Sequence, residues 1–471
     1  MGREIPVLSS RNRENPPASP VQMDTWSARH RFLGMALALL LPGAPPGRAA
    51  EPGARVFAAV AQLDRMSERP LWPGFDPRAI PLEVFEGGRT WILRHPRPPA
   101  EFLEVPGHPE ARVFDGRHSS LRANTSLEIA GVTTAAASFE GRREDSRILA
   151  ALLLHEAFHV FQAARHPKWG GNEAELFVYP VEDPDLLALR RLEWTALRRA
   201  ISSDNPEGAA GWGARAVVVR RERFSKLPAF AAAYERGTEV KEGLARYVEV
   251  KAAGLAAPLL PPSELPTDRV RDRAYSSGCA IAFLLDRLEP DWKEALETSD
   301  AALDELLGRA VERARPLDFK GGERSAARRR AHADVVAWLS SRASLRRSFE
   351  SESGWRVIVE SDAPLFPQGF DPLHVERLSG SEILHTRWIK LGNAAGSFES
   401  LDHRCLTESA GKHPLFEGVR RATVAGLPEE PRVQDVAGAV KISGAGLALS
   451  FENARARTAG STITVTVGRS E

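Results

Sequence analysis

The spacing of apolar and polar positions changes character twice along the chain. From Ala54 to Met66, Val56, Val60 and Leu63 share one face of a predicted helix. Residues 82–85 and 90–93 flank Glu86-Gly87-Gly88-Arg89, which predicts a hairpin with a glycine turn. Alternating and β-branched residues over 126–139 add further strand signals. From about 145 to 347 nearly every segment has helical spacing, with breaks expected at His166-Pro167, at Pro184, and over 204–213 and 258–266. Beyond Gly354 this spacing gives way to short β-rich runs at 355–359, 383–391, 440–443, 447–451 and 461–467. The expected fold class is α+β. A β-containing N-terminal lobe over about 80–140 and a helical region over about 145–347 form one domain, 51–350, and a smaller C-terminal β domain spans 354–471.

The first 50 residues stand apart. A polar, Pro-rich stretch leads to Arg29-His30-Arg31, an apolar run over 32–41, and small residues ending in Gly47-Arg48-Ala49-Ala50. This reads as a secretory signal peptide over about 23–50, with translation starting at Met23. The apolar run is shorter than the roughly 20 residues a membrane span requires. A secreted or periplasmic protein with no stable span in its mature form is therefore expected.

Composition narrows the chemistry. With 63 Lys and Arg against 62 Asp and Glu, the net charge of +1 argues against a nucleic-acid partner. Arg328-Arg329-Arg330, with Arg324, Arg342, Arg346 and Arg347, reads as a solvated helix face. Two cysteines, Cys279 and Cys405, exclude a disulfide scaffold or a cysteine-built zinc cluster, and both read as buried thiols. Any metal must sit on histidine and carboxylate.

That combination occurs in Leu154-His155-Glu156-Ala157-Phe158-His159-Val160. Residues four apart on a helix lie one above the other, so His155 and His159 offer two imidazoles to one point, as two corners of a tetrahedral zinc site. Glu156, about 100° round the helix, reaches a water at an open corner and is placed as its general base. A third ligand is required. Glu242 is the best placed, with Glu173 and Glu175 as competitors and Glu239 a weaker one. Gly243 is expected to let this helix approach the metal helix closely. Glu249, seven residues after Glu242, and Glu239 are expected to orient the ligands from behind.

His155-Glu156-Ala157-Phe158-His159 together with Lys241-Glu242-Gly243-Leu244-Ala245-Arg246-Tyr247-Val248-Glu249 resembles the gluzincin metallopeptidases, especially their aminopeptidase N-like branch, within the peptidase MA clan. The resemblance covers roughly residues 150–290 and implies a zincin-like catalytic domain, Zn2+ as cofactor and Glu242 as third ligand. Tyr275-Ser276-Ser277-Gly278, expected to open an apolar helix, extends the likeness and implies that Tyr275 stabilises the oxyanion. The chain departs from the family in two respects. About 80 residues separate His159 from Glu242, far more than is usual, and the insertion reads as helices that wall or cap the cleft. The family's amine-binding Gly-x-Met-Glu-Asn segment is absent, and in its place 130–136 forms a small-residue strand expected to pair with an extended peptide. The expected function is an exported zinc metallopeptidase acting on peptide or protein substrates, without aminopeptidase specificity. The alternatives are a catalytically inactive zinc-binding module of the cell envelope and a zinc amidohydrolase acting on a cell-wall component.

Overall fold

Helix α1 (Ala54–Met66) buries Val56, Ala59, Val60 and Leu63, as its spacing requires. The hairpin joins β1 (Leu82–Glu86) to β2 (Arg89–Leu93) through Gly87 and Gly88, at φ 62° and 73°. A two-residue turn with both φ positive is the kind glycine makes at low cost. With β3 (Leu103–Val105), β4 (His108–Asp115), β5 (Thr125–Ile129) and β6 (Val132–Ser138) these form a sheet in the order β3-β4-β2-β1-β6-β5. The expectation for 130–136 needs correction here. Strand β6 lies between β1, which pairs with residues 135–138, and β5, which pairs with residues 132–136, so it is an interior strand of the sheet and not the open partner expected for a peptide. Its small side chains serve packing instead: Ala135 and Ala137 are fully buried in the same core as Leu149 and Leu153 of the next helix. Among the described residues, β5 ends the sheet on this side.

The computed structural model describes residues 53–121, 125–255, 257–258, 265–299, 301–371, 374–444 and 446–468. The export segment expected at 23–50 lies outside them. Among the described residues no helix is long and apolar enough to cross a membrane.

Helix α2 (Ser146–Arg165) carries the His-Glu-x-x-His motif. Asp145 caps it, accepting from the backbone N–H groups of Arg147 and Ile148 at 2.9 and 3.0 Å, and it stops at His166-Pro167. Behind it sits Trp72, whose ring meets Phe158 at 5.4 Å and Trp292 at 5.4 Å, edge to face, while its indole donates to Glu297 at 2.6 Å. Phe75 joins it against Phe158. Residues 71–77 thus form a plug behind the metal helix. Trp72→Ala removes a large, almost fully buried ring packed on Phe158, the residue before His159. A loss of about 3–5 kcal/mol is expected in denaturant unfolding.

Next come α3 (Pro184–Ile201), α4 (Pro206–Phe224) and α5 (Ala229–Thr238). A π-turn (Glu239–Gly243) leads directly into α6 (Leu244–Ala252), followed by α7 (Val270–Leu288), α8 (Trp292–Glu297), α9 (Leu303–Ala310) and α10 (Glu323–Glu350). The breaks at Pro184 and between α3 and α4 are both present, the second shorter than the expected 204–213. Pro184 opens α3 at its first turn, with Asp183 as cap. The glycines of 208–213 lie inside α4, because a Cβ on Gly211 would meet Leu317 at 2.9 Å and one on Gly213 would meet Leu284 and Val311 at 3.2 Å. They allow close packing and do not mark a loop.

The inserted helices converge on a buried ionic lattice. Glu193 accepts from Arg190 at 2.7 Å, from Arg220 at 2.6 and 2.8 Å, and from Arg223 at 3.0 Å; Arg220 also pairs with Glu239 and Arg223 with Glu235. Burial opposes the charge on Glu193, but Arg220, Arg223 and Arg190 outweigh it and hold its pKa down to about 2, against an ordinary 4.5. A depressed carboxylate contributes stability that is complete above the unfolded value and disappears as pH falls through the folded one. The thermal midpoint should therefore fall as pH drops from about 4.5 towards 2. Glu193→Gln, less stable at neutral pH, should lack that part of the slope. A midpoint flat across this window in the wild type would contradict the lattice.

The C-terminal strands are β7 (Trp355–Phe370), β8 (Val375–Arg377), β9 (Glu382–His385), β10 (Trp388–Asn393), β11 (Gly396–Leu401) and β12 (Cys405–Ser409). They continue as β13 (Val419–Leu427), β14 (Arg432–Val436), β15 (Ala439–Gly444), β16 (Leu447–Glu452), β17 (Ala454–Ala459) and β18 (Thr462–Val467). The long β7 pairs with β18 and β13 along its first half and with β10 along its second, so one strand ties the array together over a core containing Val359, Ile389, Phe398, Val424 and Val465. The architecture is α+β: an N-terminal β-rich lobe, a central helical region with the motif, and a C-terminal β-sheet domain. Cys279 and Cys405 are buried free thiols. Arg377 donates to Tyr179 O and Glu182, both at 2.7 Å, and a ring nitrogen of His413 lies 3.0 Å from Ala174 O. The β domain thereby grips residues 174–182, the segment that continues from Glu173.

Candidate metal centre

One turn of α2 and the π-turn face each other. His155 and His159 bring their Nε2 atoms to 3.2 Å, and Oε2 of Glu242 lies 3.2 Å from His159 Nε2 and 3.9 Å from His155 Nε2. Nitrogen ligands of a tetrahedral zinc at about 2.0–2.1 Å stand about 3.3–3.4 Å apart, so the spacing fits. All three side chains are buried.

The hydrogen bonds around them assign the protons. Gln162 spends its amide NH2 on the carbonyls of Val240 and Lys241, at 3.1 and 2.9 Å, so its Oε1 faces His159 Nδ1 at 2.8 Å. That nitrogen must carry the proton. Glu249 Oε2 lies 3.1 Å from His155 Nδ1, and Arg246 pairs with the same carboxylate. Burial opposes the charge on Glu249, yet Arg246 and His155 hold its pKa down to about 2, so it remains an acceptor. With both protons on Nδ1, each Nε2 presents a lone pair. Glu242 Oε2 is buried and receives no hydrogen bond. Three acceptors converging on one point without a donor among them call for a cation, and two imidazoles with one carboxylate suit zinc.

The electrostatics agree. Burial disfavours charge on His155, but the carboxylates of Glu249, Glu156 and Glu242 outweigh it and raise its pKa, as expected where positive charge is to be held. Glu156 shifts upward chiefly through burial, with His155 and His159 opposing and Glu242 and Glu249 adding to it. Glu242 moves far down despite its burial, under His159, Arg271 and His155.

The π-turn explains how Glu242 is delivered. Such a turn adds a residue to the helical path and rotates the residues beyond it, and it frees carbonyls that the ordinary ladder would use. The amide of Gln162 donates to two carbonyls of this turn. Gln162→Leu would remove both the tautomer lock on His159 and that support. We expect about 10–100-fold weaker zinc binding by competition with a chromophoric chelator, with helix content retained.

Gly243 performs a different task from the one expected. A Cβ there would lie 2.6 Å from Gly278 Cα, so the close approach is to α7 and not to the metal helix. The Tyr275-x-x-Gly278 segment lies inside α7, which begins five residues earlier than expected, at Val270. The Tyr275 ring is nearly parallel to that of His155, with centroids 6.2 Å apart, and burial and the Glu242 carboxylate push its pKa well above the ordinary tyrosine range.

Glu239 does not join the ligands. Its carboxylate is fully buried between Arg220, at 2.6 and 2.7 Å, and the Ser277 hydroxyl, because the π-turn sends it to the ionic lattice on the opposite side. Glu173 pairs with Arg271 and accepts from the Tyr234 hydroxyl, each at 3.3 Å, and Glu175 takes the Asn172 amide at 3.4 Å. Neither belongs to the converging set.

Sequence reasoning missed Gln162 and Arg271. The signal for Gln162 was its place three residues after His159, on the buried face. Arg271 lies four residues before Tyr275, a spacing that shares a face only once both are known to lie in one helix.

The His155-Glu156-x-x-His159 motif with Glu242 matches a gluzincin-type zinc-metallopeptidase site. The chain as a whole matches no family model, no curated protein and no solved structure.

Proposed function

We propose that the protein is an exported, zinc-dependent metallopeptidase. The observation that carries this reading is the convergence of three buried acceptors, from His155, His159 and Glu242, beside the buried carboxylate of Glu156. A protein that only stored or was shaped by zinc would have no use for that fourth group. When bound, zinc supplies Lewis acidity, polarising the scissile carbonyl and lowering the pKa of the attacking water.

The chain's own groups do the rest. Glu156 takes the water's proton and returns it to the leaving amine; burial raises its pKa and so makes it a stronger base than an exposed carboxylate. Tyr275, kept protonated, donates a hydrogen bond to the oxygen on which negative charge develops. Glu249 and Gln162 hold the imidazoles in the ligating tautomer. Among the described residues, β5 ends the sheet on the side of β6 and offers an extended peptide an edge to add to. We assign 51–350 as the catalytic domain and 354–471 as a β domain that braces the segment beside the site, and we assign the export signal to residues 23–50.

The test uses full-length protein with added zinc and a mixed peptide library. New termini should appear, vanish with a zinc chelator, and return when zinc is restored. A zinc-loaded protein that cleaves nothing in the library would overturn the peptidase reading in favour of a binding module.

A further inference from the structure

Arg271 stands at the third ligand and takes no part in the proton transfers. Its Nη2 donates to Glu242 Oε1 at 2.9 Å, its Nε to Glu173 Oε1 at 3.3 Å, and its guanidinium carbon lies 5.2 Å from the centre of the Tyr275 ring. The two oxygens of Glu242 thus have separate destinations. Oε1 is held by the arginine, and only Oε2 is turned to the histidines, 3.2 Å from His159 Nε2.

A glutamate carboxylate rotates freely about its last torsion, so nothing in the side chain itself prevents both oxygens from reaching one cation. Two-oxygen ligation would fill the position that a catalytic site must leave open to water. An arginine on one oxygen prevents that rotation and draws off part of its charge. The backbone holds the arrangement close: α7 carries Arg271, the π-turn carries Glu242, and the two meet where Gly243 and Gly278 touch. Glu173, on a separate 3₁₀ turn (Glu173–Val178), fixes the far side of the guanidinium. A planar fork reaching two acceptors on different elements is a task for arginine and not for lysine.

We propose that Arg271 is a positioning residue that makes Glu242 a one-oxygen ligand and so keeps a coordination position open for the reacting water. The inference rests on the zinc-peptidase reading.

Cobalt(II) replaces zinc as the probe, because its visible absorption is strong when four-coordinate and weak when the coordination number rises. Full-length wild type, Arg271→Ala, Arg271→Lys and Glu173→Gln are loaded with cobalt, with circular dichroism checking the fold. Wild type should give the strong spectrum. Both Arg271 variants should give a weaker one, with kcat down about 10–100-fold, the range for outer partners of a metal site, and KM little changed. Glu173→Gln keeps an acceptor for Arg271 but loses the ion pair that anchors it, so its spectrum and kcat should fall between those of wild type and Arg271→Ala. Folded Arg271 variants with the wild-type spectrum and kcat would overturn the inference alone, as would an Arg271→Lys variant that retained both while Arg271→Ala lost them. Wild type that takes up no cobalt would overturn this inference and the peptidase reading together.

Discussion

Glu156→Gln is expected to keep its zinc and to lose peptide cleavage by about 10²–10⁴-fold, the contribution of a positioned general base. The substitution preserves shape and hydrogen-bonding capacity but removes the proton acceptor. Metal affinity should hold because Glu156 is not one of the three converging donors. The variant should even rise slightly in thermal stability without metal, since burial already disfavours the charged form of this carboxylate. The readouts are zinc content after dialysis and initial rates on a peptide found with the wild type. Loss of zinc together with activity would mean that Glu156 is a ligand, and the assignment of Glu242 would then fail. Activity retained would move the base elsewhere.

Glu242→Ala has the opposite signature, in that the metal itself is lost. The substitution removes a donor and leaves the Arg271 guanidinium, previously neutralised at 2.9 Å, facing the space where a cation belongs. The drop in zinc affinity should exceed the roughly 10–100-fold expected for outer partners such as Gln162. Competition against a chelator dye gives the number, with Glu173→Ala as the comparison. Unchanged affinity in Glu242→Ala would reassign the third ligand, with Glu173 and Glu175 next to be tested.

The parts of the site that could be read from the sequence are those set by local periodicity. His155, Glu156 and His159 lie within one helix whose cap, Asp145, and stop, His166-Pro167, are adjacent in the chain, so their relative placement follows from helical geometry alone. Glu242 was reachable through its family-like surroundings, and the C-terminal β domain through its glycine-punctuated short runs. What escaped depends on partners distant in sequence. The π-turn has no local signature; two carbonyls of the turn are answered by Gln162, almost 80 residues away. Gly243 meets Gly278 in the interior of α7, a contact that cannot be read from a Tyr275-x-x-Gly278 segment expected to open its helix. Glu239 resembled a supporting carboxylate until Arg220 of the insertion claimed it. Alternation over 130–136 shows which residues suit a strand but not which strands flank it, so the interior place of β6 has no local signal. The glycines of α4 misled for a related reason: small residues mark both loops and close helix contacts, and only the facing Leu317 and Leu284 decide between them.

A chain folded around His155, His159 and Glu242 should carry a metal. The most direct measurement is the metal content of purified full-length protein, by elemental analysis after exchange into metal-free buffer and again after adding zinc. Zinc equimolar with protein is expected, removed by a strong chelator and regained on return of zinc. Protein that stays folded and takes up no zinc under these conditions would contradict that expectation.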